Sequence, residues 1–401
     1  MYGLAQDYTV VARVPPDEDD YYTFFYSDAF IRLSDGTLMA AAPMLQAGPA
    51  AGGRDAPCHV RLAQSEDGGR SWRQLNDVVF PCRVEVAFME QAAALFMIVG
   101  VVSDAGVILL LRSDDAGASW SAPVEILRNP SACADPHAPG ATPRKRFYCL
   151  HQTPMAVKNN RLYFAVSEGW QEMAVISCDL AGDIMSPAAW RLSASVAMPI
   201  PAELNAGLNP GPSMRCLEGN VIVVNGALRV LARACIDRYA TANLAAVFDL
   251  RDEHDRLDLK FTQFYPLPGG NCKFFIIWDE QSRLYWMASN PPANSQGVVP
   301  VPARIPGNDR RFMMLWYALD ALNWFPAGCV AGSPRQAECF MYPAMVIEGD
   351  DLVILSRTSR DYEGGKQAAA RAQKGHHDAN LLTLHRVRNF RDLAMDIRPR
   401  A

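Results

Sequence analysis

The stretch RSDDAGASW, Arg112–Trp120, is a polar loop that ends in a large aromatic residue, and QSEDGGRSW at Gln64–Trp72 repeats it 48 residues earlier. Ser, Asp, Gly, Ser and Trp keep one register in both copies. Such an Asp accepts hydrogen bonds from the backbone of its own turn, Gly supplies a positive φ, and the Trp has an apolar body to bury. A polar turn written twice marks a repeated supersecondary unit, which makes the period of the chain the first thing to establish.

Outward from these turns, six short polar lead-ins each precede an apolar, strand-like run: SDGTLMAAAP, EQAAALFMIVG, KNNRLYFAVSE, VNGALRVLAR, EQSRLYWMASN and EGDDLVILSR. Asp-Gly, Asn-Asn, Asn-Gly and Gly-Asp pairs favour tight hairpins because they tolerate positive φ. The leucines that mark these runs are Leu38, Leu95, Leu162, Leu228, Leu284 and Leu352, spaced 57, 67, 66, 56 and 68 residues apart. A period of about 60 residues holds four short strands and their loops, the content of one propeller blade. The expected fold is all-β: a six-bladed β-propeller forming one domain over residues 1–401. The last period runs out at HDANLLTLHRV, Asp378 to Val387 within it, so its blade lacks a strand unless the N-terminal DYTVVARV closes it. Closure of that kind removes the open sheet edge. The repeated turns then fall after the third strand of blades one and two. Looser echoes occur at Ser177–Trp190 and Ala318–Trp324. GGKQAAARAQKG, residues 364–375, is the one good local helix pattern and is expected to decorate a loop.

Bulk properties exclude several classes. Of the 401 residues, 20% are charged and the net charge is −5, with no basic stripe, so no nucleic-acid partner is expected. No apolar run reaches the ~18–20 residues that span a bilayer. The start lacks a basic segment followed by an apolar one, and the ten cysteines form no CxxC pair. The expectation is a cytoplasmic protein with reduced, buried thiols and neither cofactor nor metal.

Ser65–Trp72 and Ser113–Trp120 resemble the Asp-box, or BNR repeat, of the sialidase (neuraminidase) superfamily. CLEGNVIV at Cys216–Val223, PGGNCKF at Pro268–Phe274 and HDANLLTLHRVRNF at His377–Phe390 are similar to segments of its bacterial sialidase-like branch. The resemblance covers essentially the whole chain and implies a glycan-acting propeller. Two departures stand out. A sialidase opens blade one with Arg-Ile-Pro about ten residues before its first turn, and that arginine grips the substrate carboxylate. Here the position holds Tyr26, followed by Ser27 and Asp28. A sialidase also carries an Asp just upstream of the first box, where this chain offers Asp55 and His59. A standard sialoside is therefore not the expected substrate.

Residues at one offset in each repeat can meet at a channel mouth. Five residues after the marker leucines stand Pro43, Gly100, Ser167, Arg233, Ser289 and Arg357. Arg233 and Arg357 are candidate clamps for a carboxylate or sugar hydroxyls, because guanidinium donates in a planar fork. The alternative is a salt bridge between blades. Glu168 and Glu218, at strand ends in neighbouring blades, are the candidate carboxylate pair for glycosidic cleavage. The resemblance also implies, for Glu218, polarisation of a tyrosine nucleophile. His377 and Asp378 join them as candidate acid–base groups, with Lys273, His59, His151, Tyr26, Tyr239 and Asn290 as possible substrate contacts. Trp170, Trp278 and Trp286 suit sugar stacking or core packing. Three functions stay open: an exo-acting glycoside hydrolase, a uronic-acid-specific lyase using Tyr26 and His59, and a carbohydrate-binding propeller without turnover.

Overall fold

The computed structural model describes residues 3–17, 21–48, 56–102, 106–129, 147–199, 212–237, 243–253, 256–292, 310–333, 338–360 and 377–395. The helix pattern at 364–375, and with it Asp55, Tyr239 and His376, lies outside them. Six antiparallel sheets stand in a ring, and the described residues hold no α-helix. The chain is a six-bladed β-propeller.

Each marker leucine lies at the start of the second strand of its blade. These strands are Leu38–Ala47, Ala94–Val101, Arg161–Glu168, Ala227–Asp237, Leu284–Ser289 and Asp351–Ser359. All six leucines are buried, because each anchors a hairpin against the neighbouring sheet. The apolar clusters accordingly cross blade boundaries. One joins Leu38 and Ala63 of blade one to Leu352 and Leu384 of blade six and to Trp286 and Tyr317 of blade five.

Closure follows the expected route. Tyr8–Arg13 pairs antiparallel with Leu381–Val387, Val10 opposite Thr383, and becomes the outermost strand of the last blade. First and last segments of the chain thus share one sheet, and the edge that an open ring would leave is paired.

The repeated turns link the third strand, Cys58–Ser65 or Val107–Ser113, to the outermost one. Asp67 Oδ1 accepts from the Ser71 amide at 2.9 Å, and Asp115 Oδ1 from the Ser119 amide at 2.8 Å. Ser65 Oγ and Ser113 Oγ each accept from the amide of the glycine four residues on, at 2.8 Å. The Ser119 hydroxyl, donating to Oδ2 at 2.6 Å, and then the Ser119 amide hold the Asp115 carboxyl down at about 2. Gly69 and Gly117, at φ 88° and 87°, lie against the preceding blade; a Cβ on either would meet Leu384 Cδ2 at 2.2 Å or Met39 Cε at 2.7 Å. Trp120 stacks on Phe88 with ring centroids 6.3 Å apart, and Trp72 packs against the cluster shared with blade six. The motif is a staple between blades.

Candidate active site at the channel mouth

The innermost strands line the channel, and at one level most of them are irregular. Blade four gains one residue between Leu217 and Asn220, opposite Arg233; blade six gains one between Met341 and Ala344, opposite Arg357. Within those bulges Glu218 and Tyr342 take left-handed conformations, φ 53° and 57°. Such φ values are costly for a residue with a Cβ, and bulges re-aim side chains. In blade one the innermost strand breaks at Tyr26–Asp28, between Tyr22–Phe25 and Ala29–Arg32. In blade three it breaks after Tyr148–Cys149.

These irregularities gather side chains from every blade. Glu218, 6% exposed, receives Arg233 Nη1 on its two oxygens at 3.2 and 3.3 Å. His151 Nε2 lies 3.8 Å from Glu218 Oε1 and 3.9 Å from Glu85 Oε2. The His151 ring is 5.9 Å from that of Tyr26 and 5.6 Å from that of Tyr342. Tyr342 in turn sits under two guanidinium groups, Arg357 at 4.2 Å and Arg310 at 5.0 Å from its ring centroid.

A relay leads away from that oxygen. Tyr342 Oη lies 3.5 Å from His377 Nε2, His377 Nδ1 lies 3.0 Å from Asp378 Oδ1, and Tyr22 donates to Asp378 Oδ2 at 2.6 Å. The acceptor Asp378 fixes the tautomer: Nδ1 carries the proton and Nε2 presents a lone pair to Tyr342. Burial pulls His377 down to about 4, against the opposing pull of Asp378, so it is neutral at pH 7. Burial works to raise Asp378, but the hydrogen bonds from His377 and Tyr22 bring it below the ordinary carboxylate range.

Burial likewise raises the Glu218 carboxyl, but Arg233, then His151, Arg310 and Lys273, outweigh it and keep it ionised. Beneath the ring, Lys273 Nζ stands 3.6 Å from Asp28 Oδ2 and donates to the carbonyl of Pro343 at 2.9 Å. Burial pushes both members of that pair toward neutrality, lowering the lysine and raising the aspartate.

Glu218, Arg233, His151, Tyr26, Lys273, Arg357, His377 and Asp378 thus come together. Others do not. Glu168 points away: Asn129 donates to its Oε1 at 2.8 Å and Ser195 to its Oε2, so it secures the rim of blade three. His59 lies on the third strand of blade one, half exposed, 3.9 Å from Asp77, so no Tyr26–His59 acid–base pair forms. Asn290 is buried and donates to the carbonyls of Phe312 and Phe340, tying blade five to blade six. Arg357, fully buried, bonds the carbonyls of Tyr26 and His377 and props Tyr342 from behind. Trp286 is core, whereas Trp170 stands beside Arg83 at 5.9 Å.

Tyr342, Arg310, Glu85 and Arg83 had no place among the sequence candidates. A signal existed: ten residues before Leu38, Leu95, Leu162, Leu228 and Leu352 stand Asp28, Glu85, Gln152, Glu218 and Tyr342. Arg83 is notable because its guanidinium lies 3.7 Å from the ring centroid of Tyr26, the residue that replaces the expected arginine. Blade two therefore brings a positive charge against Tyr26 of blade one. At the opposite end of the channel a cavity of about 960 Å³, lined by residues such as Phe30, Val221, Ile276 and Met345, includes none of the gathered charged groups.

The fold is a six-bladed propeller of the kind seen in sialidases and arabinan-acting enzymes. The chain resembles Trypanosoma rangeli sialidase in complex with sialic acid at 14% identity and TM-score 0.56, over 92% of this chain and 55% of that one. It resembles Penicillium chrysogenum α-L-arabinanase complexed with arabinobiose at 12% identity and TM-score 0.55, over 96% and 99% of the two chains. For the GH93 α-L-arabinofuranosidase of Fusarium graminearum the values are 11%, 0.52, 95% and 98%. This chain spans about half the length of the sialidase and nearly all of the arabinan-acting enzymes. No family model and no curated relative matches the sequence. At these identities the likeness is one of fold.

Proposed function

We propose that the protein is an exo-acting glycoside hydrolase for a glycan other than a standard sialoside, with Tyr342 as nucleophile. The observation that carries this reading is the relay Tyr342–His377–Asp378 beside an ionised Glu218, with Tyr342 and Glu218 both held at positive φ on bulges. Tyr342 Oη attacks the anomeric carbon as its proton passes to His377 Nε2, and the bond to the leaving oxygen breaks. Glu218, fixed by Arg233, offsets the positive charge that develops on the sugar. Protonation of the leaving oxygen completes the step. Water then hydrolyses the glycosyl–tyrosine intermediate, so the anomeric configuration is retained. Arg83 and Arg310 favour a sugar with an anionic group.

One observation supports a second reading. The same tyrosine, with His377 at 3.5 Å, is equally a base for β-elimination of a uronate, whose carboxylate Arg83 and Arg310 would neutralise. A panel of aryl glycosides and uronic-acid polymers separates the two, because only elimination yields a product with unsaturated-uronate absorbance. On the substrate found, Tyr342→Phe and Glu218→Gln are each expected to lower kcat by ~10²–10⁴-fold, whereas Glu168→Gln leaves it within a few-fold. Full turnover by Tyr342→Phe would overturn both readings. Tight glycan binding without turnover in the wild type would leave a binding propeller.

A further inference from the structure

Beside Glu218 lies a second group that the proposed reaction does not use. Glu85 is the second residue of the innermost strand of blade two, Cys149 ends the short strand before the break in blade three, and His151 lies in that break. All three are buried, and one ligand atom from each lies within 4.8 Å of the others. His151 Nε2 is 3.7 Å from Cys149 Sγ and 3.9 Å from Glu85 Oε2. Zinc bonds of ~2.0–2.3 Å to N, O and S place neighbouring tetrahedral ligands ~3.3–3.7 Å apart. The two separations from His151 Nε2 therefore need to close by only a few tenths of an ångström around a central ion.

A second observation points the same way. Glu85 is 0% exposed, yet neither carboxylate oxygen has a hydrogen-bond partner among the described residues. A buried carboxylate faced by a weak thiol donor, Cys149, and by His151 at 3.9 Å is under-satisfied, and a cation is the partner that all three would share. Glu218 does not compete for that role, since Arg233 already holds both its oxygens.

We propose that Glu85 Oε2, Cys149 Sγ and His151 Nε2 form a divalent-cation site of the zinc class at the channel mouth, with a fourth position left for water. Oxygen, sulfur and nitrogen together suit a borderline-soft ion and exclude magnesium or calcium, which take oxygen cages. When the Sγ–metal bond forms, the thiol proton leaves to solvent, and the histidine proton resides on Nδ1. Glu218 Oε1 lies 3.8 Å from the same His151 nitrogen, so a bound ion would adjoin the reaction centre. Spacing in the sequence concealed the site because Glu85 comes from a different blade, 64 residues before Cys149.

The inference rests on the ligand set and not on the glycosidase reading, so its test needs no substrate. The full chain is stripped with chelator, loaded with Zn²⁺, freed of excess metal and assayed by mass spectrometry of the metal. One zinc per chain is expected. Loading with Co²⁺ should give intense tetrahedral d–d bands and a thiolate-to-cobalt charge-transfer band. Cys149→Ser should remove the charge-transfer band, and both it and Glu85→Gln should weaken zinc binding tenfold or more, about the least a lost ligand costs. Cys58→Ser, a buried thiol outside the group, should change neither. Circular dichroism of each metal-free variant checks folding; if Cys149→Ser fails it, the wild-type cobalt spectrum and Glu85→Gln decide. Zinc well below one per chain, a cobalt spectrum without the thiolate band, or wild-type affinity in a folded Cys149→Ser or Glu85→Gln would overturn the site.

Discussion

Two histidines show what burial does to one residue. His385 is 0% exposed, with Nδ1 2.8 Å from the Ala5 carbonyl and Nε2 3.0 Å from Thr383 Oγ1. Burial lowers it to about 4, as it does His377, from an ordinary value of 6.5. Above pH 6.5 each imidazole is neutral in both folded and unfolded chains and contributes no slope. Between 6.5 and 4 the unfolded chain binds protons that the folded one refuses, so stability falls as pH falls. Below 4 the loss is complete. A depression of this size corresponds to ~3 kcal/mol per histidine. Urea midpoints measured across that window should therefore drop with acidification. His385→Asn, whose amide can still donate to Ala5, should flatten the slope by roughly that amount. An unchanged slope in this variant would show that His385 does not titrate as buried.

At the scale of the element, the staples and the bulges divide what the sequence discloses from what it conceals. Gly69 must be glycine twice over: its φ is positive, and a Cβ would overlap Leu384 of the last blade. Gly69→Ala should cost ~1–3 kcal/mol, read as a lower thermal midpoint, with Gly226→Ala as comparison. Gly226 has positive φ but open space around it, so its loss should be smaller. A midpoint drop no larger in Gly69→Ala than in Gly226→Ala would remove the blade contact from the account. The staples were legible because their chemistry is local: Ser, Asp and Gly bond one another within seven residues. The hairpin leucines were legible for the same reason. The site was half legible. Arg233 and Arg357 lie on regular second strands, where counting from the turn works. Glu168 stands one residue beyond that count, and Asn129 and Ser195 hold it at the rim. Tyr342 stands on the other side of the hairpin, in a bulge opposite Arg357, and no local pattern announces a one-residue insertion. Counting ten residues back from the marker leucines reaches Asp28, Glu85, Glu218 and Tyr342, and in blades three and five it lands on Gln152 and Phe274, each beside the residue that joins the site.

For the whole molecule, the decisive fact is that the ring closes through its first strand. Tyr8–Arg13 covers Leu381–Val387, and Val11 and Ala12 enter the apolar cluster shared by blades one, five and six. Arg360 also donates to the Tyr8 hydroxyl at 2.7 Å, and His385 reaches back to Ala5. A chain lacking residues 1–14 would expose the hydrogen-bonding edge of Leu381–Val387 and the apolar floor beneath it. Unpaired edges of that kind recruit other chains. Such a truncated protein should melt well below the full chain and self-associate in light scattering. A synthetic peptide of residues 3–15 should restore both properties by re-forming the outer strand. The active site offers an independent readout, because Arg357 and the Tyr342 bulge lie in the same sheet as the missing strand. Weakening the outer strand should loosen the bulge, so ligand binding at the mouth should fall with truncation and return with the peptide. A truncated chain that melts, stays monomeric and binds like the full one would show that the first strand only decorates the ring.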